Sequence, residues 1–146
     1  MLELVAKTET DREEKADYEA HFKLAKQIVE ESAVLLKNED RIPPLKSGSD
    51  VIFVGHMAKE LRYQGAGSSH INPWKLVSVT DACPEIPFYE GCLPDGSSTE
   101  CLLKEAEEAA KKTGQVVIFA GLTAAYESEG FDRENMKMPL GQIEIF

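Results

Sequence analysis

Two glutamates, a glycine and an Asp-Arg pair crowd into AAYESEGFDREN, Ala124 to Asn135, just after the most apolar run of the chain. A carboxyl group at the exit of an apolar run suits proton transfer. It can reach a reacting oxygen by hydrogen bond, and partial removal from water favours its protonated form. Tyr126 and Phe131 supply apolar cover on either side of Glu127 and Glu129. Gly130 lets the backbone turn sharply enough to aim one carboxyl inward while the other points elsewhere. Charged clusters are more often solvated surface, with Asp132 and Arg133 paired to neighbours and holding the loop. Placement at a strand end tips the balance, and Glu129 and Glu127 are the candidate general acids.

A second polar loop, RYQGAGSSHINP, starts at Arg62. Its glycines allow close backbone approach and its serines can donate to an oxyanion. The glycines lie about ten residues past the preceding apolar run, however, and neither GxGxxG nor GxxxxGK[ST] is present. Gly65 and Gly67 serve equally well as loop residues of positive φ. A nucleotide-binding α/β domain is therefore a weaker reading.

The elements that must position these loops are legible as periods. Phe22, Ala25, Ile28, Val29, Ala33 and Leu36 recur at helical spacing, predicting an amphipathic helix over about 19–37, and Pro43 and Pro44 forbid its continuation. DVIFVGH and QVVIFAGL are short β-branched and aromatic runs of the kind buried on both faces of a parallel sheet. Between them lie a short helix over PWKLVSVTDAC, a short strand around IPFYEGC, and a helix from about Thr99 to Thr113, capped by Ser98 or Thr99 and stopped by Gly114. Strands alternating with helices predict an α/β fold, a mainly parallel sheet with helices on both faces. In such sheets ligands bind beyond the carboxyl ends of the strands, where both polar loops emerge.

Composition narrows the partners. The chain has 146 residues and a formal net charge of -10, with 26 acidic against 16 basic residues. That balance argues against nucleic acid and anionic membranes. No stretch approaches the roughly 18 apolar residues of a membrane span, and the N-terminus has no secretory apolar region, so the expected location is cytoplasmic. Cys83, Cys92 and Cys101 are an odd count at spacing that fits neither a zinc knuckle nor paired disulfides, and His21, His56 and His70 stand far apart. Free thiols, structural histidines, no metal and no cofactor are expected.

AKQIVEESAVLLKNEDRIPPL, RYQGAGSSHINP and YESEGFDRENMKMPLGQ, in this order and spacing, resemble the second domain of glycoside hydrolase family 3 β-glucosidases. The resemblance covers nearly all of the chain from about His21. It implies an α/β sandwich domain of flavodoxin-like layers that follows a (β/α)8-type barrel domain, with the active site in the cleft between them. It further implies that the barrel supplies an aspartate nucleophile and that Glu129 is the general acid/base, with Glu127 the runner-up. By the same resemblance RYQGAGSSH borders the cleft on the aglycone side, making Arg62, Gln64, Ser68 and Ser69 candidate substrate neighbours.

These implications divide the chain into a lead-in over 1–18 and an incomplete sandwich domain over 19–146. The expected substrate is a β-glucoside or oligosaccharide, hydrolysed with retention by the full-length enzyme. A fragment without the barrel is expected to be inactive and, with a strand edge left open, to self-associate. A β-xylosidase or other exo-glycosidase of the same family is the alternative within the enzyme class. A non-catalytic carbohydrate-binding or interaction module is the alternative outside it, although Trp74, the single tryptophan, gives such a module little aromatic platform.

Overall fold

Period and capping explain where the elements begin and end. In the computed structural model, residues 2–8, 15–46, 48–63 and 67–146 are described. The chain divides into two compact units, Met1–Asn38 and Glu39–Phe146.

In the first unit, Leu2–Thr8 forms a short helix, α1, within the lead-in, and Tyr18–Ser32 forms α2. Asp17 caps α2 by accepting the Ala20 amide at 2.9 Å. The helix stops short of the expected residue 37. At its end the Ser32 hydroxyl donates to the Ile28 carbonyl at 2.6 Å, and Ala33 turns extended. A side-chain donor of this kind satisfies a last-turn carbonyl and competes with further helix. The apolar positions Leu24, Ile28 and Val29 of α2 are exposed.

The second unit carries a three-stranded, wholly parallel sheet. Strands β1 (Val51–Val54), β2 (Phe88–Tyr89) and β3 (Gln115–Ile118) lie in the order β2-β1-β3. Val51 pairs with Gln115 and Val54 with Ile118, while Phe53 and Val54 pair with Phe88 and Tyr89. Central β1 is buried throughout. Edge strand β3, equally apolar in sequence, is only partly covered, and Val116 remains 39% exposed.

Alternation along β1 divides its side chains between two faces. Ile52 and Val54 pack with Ala106 of α4 (Glu100–Ala110), joined by Tyr89, Ala109, Ala110 and Ile145. Val51 and Phe53 are buried from the other face, where Phe53 meets Phe119 edge to face at 5.3 Å. Thr99 caps α4 by accepting the Leu102 amide at 3.3 Å. The α/β fold and parallel sheet expected from the alternation of elements are thus present, as is the α/β sandwich that the resemblance implied.

The helix expected over PWKLVSVTDAC is confined to Val79–Ala82, α3. Ser78 and Asp81 form a reciprocal capping box, with both bonds at 3.0 Å, that starts the helix six residues late relative to Pro73. Ser78 also holds the exposed Asp81 carboxyl below its ordinary value of 3.8 by hydrogen bonding to the charged form. A last short helix, α5 (Leu140–Ile143), was not foreseen.

Candidate active site

The carboxyl ends of all three strands open into one cavity of about 380 Å³, lined among others by His56 and Met57 after β1, Leu93 after β2 and Thr123 after β3, with Arg62 and Gln142. In α/β domains ligands bind beyond the carboxyl ends of the strands, and here adjacent β1 and β3 bring the loops that follow them to the same end of the sheet. Gly55 makes the first turn out of β1 with φ +114. Its amide donates to the Tyr89 carbonyl at 3.0 Å, and the Phe119 amide donates to the Val54 carbonyl at 2.8 Å.

The acidic loop after β3 is built in three steps. Gly121 donates its amide to the side-chain carbonyl of Gln142 at 2.9 Å, and Gln142 is almost wholly buried in α5. Thr123 then accepts the amides of Tyr126 and Glu127 while its hydroxyl donates to the Asp95 carbonyl at 3.3 Å. Asp95 in turn accepts the amide and hydroxyl of Ser97, which hold its exposed carboxyl below 3.8. Finally Ser128 and Phe131 close a tight turn through reciprocal backbone bonds of 3.4 and 3.3 Å. Glu129 stands at the tip of that turn and Gly130 follows with φ +94, the left-handed conformation glycine favours at this turn position.

The two polar loops meet at this turn. Ser68 donates its amide to Glu129 Oε2 at 2.6 Å and its hydroxyl to Glu129 Oε1 at 3.2 Å. Ser68 belongs to a single 3-10 turn, Gly67–Ser69, and a Cβ on Gly67 would overlap the Glu129 carboxyl. Glycine there makes the approach possible. Arg62 donates from Nη1 to the Leu122 carbonyl and from Nη2 to the Glu127 carbonyl, each at 2.9 Å.

Of the residues singled out in the sequence, Glu129, Ser68 and Arg62 therefore come together, and Ser69 follows Ser68 in the same 3-10 turn. Glu127 contributes its backbone to the junction and its side chain is half-buried. Asp132 is exposed, and Arg133 donates to the sulfur of Met136 at 3.2 Å, a contact within its own loop. Gln64 lies outside the described residues.

Other contributors were missed. Gln142 and Asp95 support the acidic loop from distant segments, and Gly141, where a Cβ would overlap the backbone of Ser97 and Ser98, seats Gln142. The one available signal was the Asp-Gly-Ser-Ser turn composition at 95–98. His56 is buried, with Nε2 3.1 Å from Glu60 Oε2 and Nδ1 3.8 Å from Glu90 Oε1, although neither contact is directed as a hydrogen bond. Among the described residues no group of three or more His, Cys, Asp or Glu could hold a metal ion, and no helix is long and apolar enough to cross a membrane.

The result is a layered α/β sandwich domain that presents a glutamate on a loop at its strand ends, gripped by a serine-bearing turn. The model of the glycosyl hydrolase family 3 C-terminal domain matches residues 33–146, and the chain belongs to that family. It is 39% identical over 155 residues to thermostable beta-glucosidase B of Acetivibrio thermocellus, covering 99% of this chain and 20% of that protein. It is 38% identical over 162 residues to an exo-alpha-(1->6)-L-arabinopyranosidase of Bifidobacterium longum, covering 99% of this chain and 21% of the relative. The crystal structure of a family 3 beta-glucosidase from Bifidobacterium adolescentis superposes with a TM-score of 0.90 at 38% identity, over 99% of this chain and 22% of that one. The chain thus spans about a fifth of the length of these relatives.

Proposed function

We propose that this domain supplies the general acid/base of a retaining β-glucosidase, and that the residue is Glu129. The observation that carries the reading is the placement of Glu129 at the tip of a closed turn beyond β3, with its carboxylate held by Ser68 of the loop beyond β1. In the reaction, protonated Glu129 gives its proton to the glycosidic oxygen as the sugar is transferred to the nucleophile. The resulting carboxylate then takes a proton from the water that releases the sugar. The nucleophile is an aspartate of a barrel domain outside this chain, about 5 to 5.5 Å from Glu129 across the bond. Without that partner carboxyl the chain by itself is expected to turn over no substrate. Gln64 and Ser69 are assigned to substrate contact from the same loop, with Asp132 and Arg133 supporting the acidic loop.

Two relatives with similar identity differ in name and activity, one a beta-glucosidase and the other an exo-alpha-(1->6)-L-arabinopyranosidase. Sugar choice is therefore assigned to parts of the enzyme beyond this domain, and a β-xylosidase or other exo-glycosidase is the second reading. The test is the first-formed product of the full-length enzyme, followed by proton NMR on β-glucoside, β-xyloside and α-L-arabinopyranoside substrates. Retained anomeric configuration with preference for the glucoside is expected. Inversion contradicts the two-carboxyl retaining mechanism, and preference for another sugar favours the second reading.

The isolated chain is also expected to self-associate. Strand β3 pairs with β1 on one side only among the described strands, and Val116 is partly exposed on it. An open edge with apolar side chains is a template for pairing. Light scattering should show dimers that Val116→Lys weakens, whereas a wild-type monomer at high concentration rules this out.

A further inference from the structure

We propose that Arg62 and Ser68 are positioning residues for the general acid/base, acting on the acidic loop rather than on sugar. This inference rests on the reading of Glu129 given above and deepens it. The guanidinium is a rigid planar fork, and here its two terminal nitrogens are directed at the carbonyls of Leu122 and Glu127. Those carbonyls bracket the turn in which Thr123 accepts the amides of Tyr126 and Glu127, so Arg62 ties the start of the loop to the residue two before Glu129. Ser68 holds the other end, with one donor on each carboxylate oxygen.

The loop beyond β1 therefore grips the loop beyond β3 at its base and at its tip. Glu129 itself is exposed, and without these contacts its side chain would be free to move among rotamers. The grip replaces that freedom by one placement of the oxygen that transfers the proton. Lysine cannot reproduce the base contact, because a single ammonium does not present two coplanar donors to carbonyls five residues apart.

Misplacement of a catalytic group by about 1 Å can cost about 10²-fold in rate. The cost falls where the proton is needed. In the full-length enzyme, Arg62→Ala is expected to lower kcat/KM about 10²-fold on an alkyl β-glucoside, whose leaving group requires protonation. On a dinitrophenyl β-glucoside, whose leaving group does not, the loss should be small. Ser68→Ala should lose about tenfold on the alkyl substrate, since the backbone donor remains, and Ser68→Thr should restore it.

Arg62→Lys and Glu129→Gln complete the set, and circular dichroism establishes that each variant is folded. A leaving-group-dependent loss in Arg62→Ala and Ser68→Ala, intermediate in Arg62→Lys, supports the inference. An equal loss on both substrates overturns it, as does a rise in KM alone, which would make Arg62 a substrate contact. If Glu129→Gln shows the leaving-group signature while the positioning variants do not, the inference fails and the acid/base reading stands. If Glu129→Gln lacks that signature, both fail.

Discussion

Glu129→Gln in the full-length enzyme is expected to lose about 10²- to 10⁴-fold in kcat/KM on an alkyl β-glucoside, the span associated with general acid catalysis. The amide keeps the size of the side chain and can still accept from Ser68, but it has no proton to give at neutral pH. On a dinitrophenyl glucoside the first step needs no proton, so the glycosyl-enzyme forms and accumulates until water, now without a base, attacks slowly. Glu127→Gln is expected to leave both substrates near wild type. The contact of Glu127 with Arg62 is through its backbone carbonyl, which the substitution does not touch. Steady-state kinetics on the two substrates separates the glutamates, and the reverse pattern would move the acid/base role to Glu127.

The second large effect is on stability. Gly55→Ala is expected to destabilise the sandwich unit by about 3 kcal/mol or more. Two costs add at this position. A side chain at φ +114 is strained by about 1 to 3 kcal/mol, and the new Cβ would overlap the Phe119 carbonyl oxygen and lie 3.0 Å from its carbon. Those are backbone atoms at the end of β3 and cannot rotate away, so the strands must part where β1, β2 and β3 hand over to the site loops. The melting temperature should fall on the order of 10 °C or more. Gly130→Ala is the control, since Gly130 has φ +94 but open space where a Cβ would go. It should show the strain cost alone. Equal losses in thermal unfolding of the two variants would refute the close-approach argument for Gly55.

Local signals carried most of the fold. The cap at Thr99 and the two β-branched runs gave the starts of α4, β1 and β3 to within a residue, because each depends on neighbours a few positions away, whereas α4 ends at Ala110, short of the expected Thr113, and β3 ends at Ile118, short of Leu122. Where the reading failed, the deciding interaction was either a different local contact or a distant one. Ser32 ended α2 early, and the Ser78–Asp81 capping box shortened α3, a signal visible in sequence but overlooked. The partial exposure of β3 follows from its place at the edge of the sheet, which apolar composition cannot reveal.

The site divides in the same way. That both polar loops lie at strand ends was legible, because strand order and direction limit where loops emerge. That Ser68 lies on Glu129, 61 residues away, and that Arg62 points at backbone carbonyls 60 and 65 residues away, was not. An arginine beside a cleft is equally suited to a sugar hydroxyl and to a carbonyl, and only the fold chooses. The buried support of Gln142 was invisible for the same reason, since glutamine ranks among the residues usually found exposed.

The central claim, that Glu129 is the general acid/base, is tested most directly by the product formed in azide by the full-length Glu129→Ala enzyme acting on dinitrophenyl β-glucoside. Removing the carboxylate opens space for a small anion on the face of the glycosyl-enzyme that water attacks. Faster turnover and accumulation of β-glucosyl azide are expected, with none from Glu127→Ala. No azide product from Glu129→Ala, or its appearance with Glu127→Ala instead, would contradict the account.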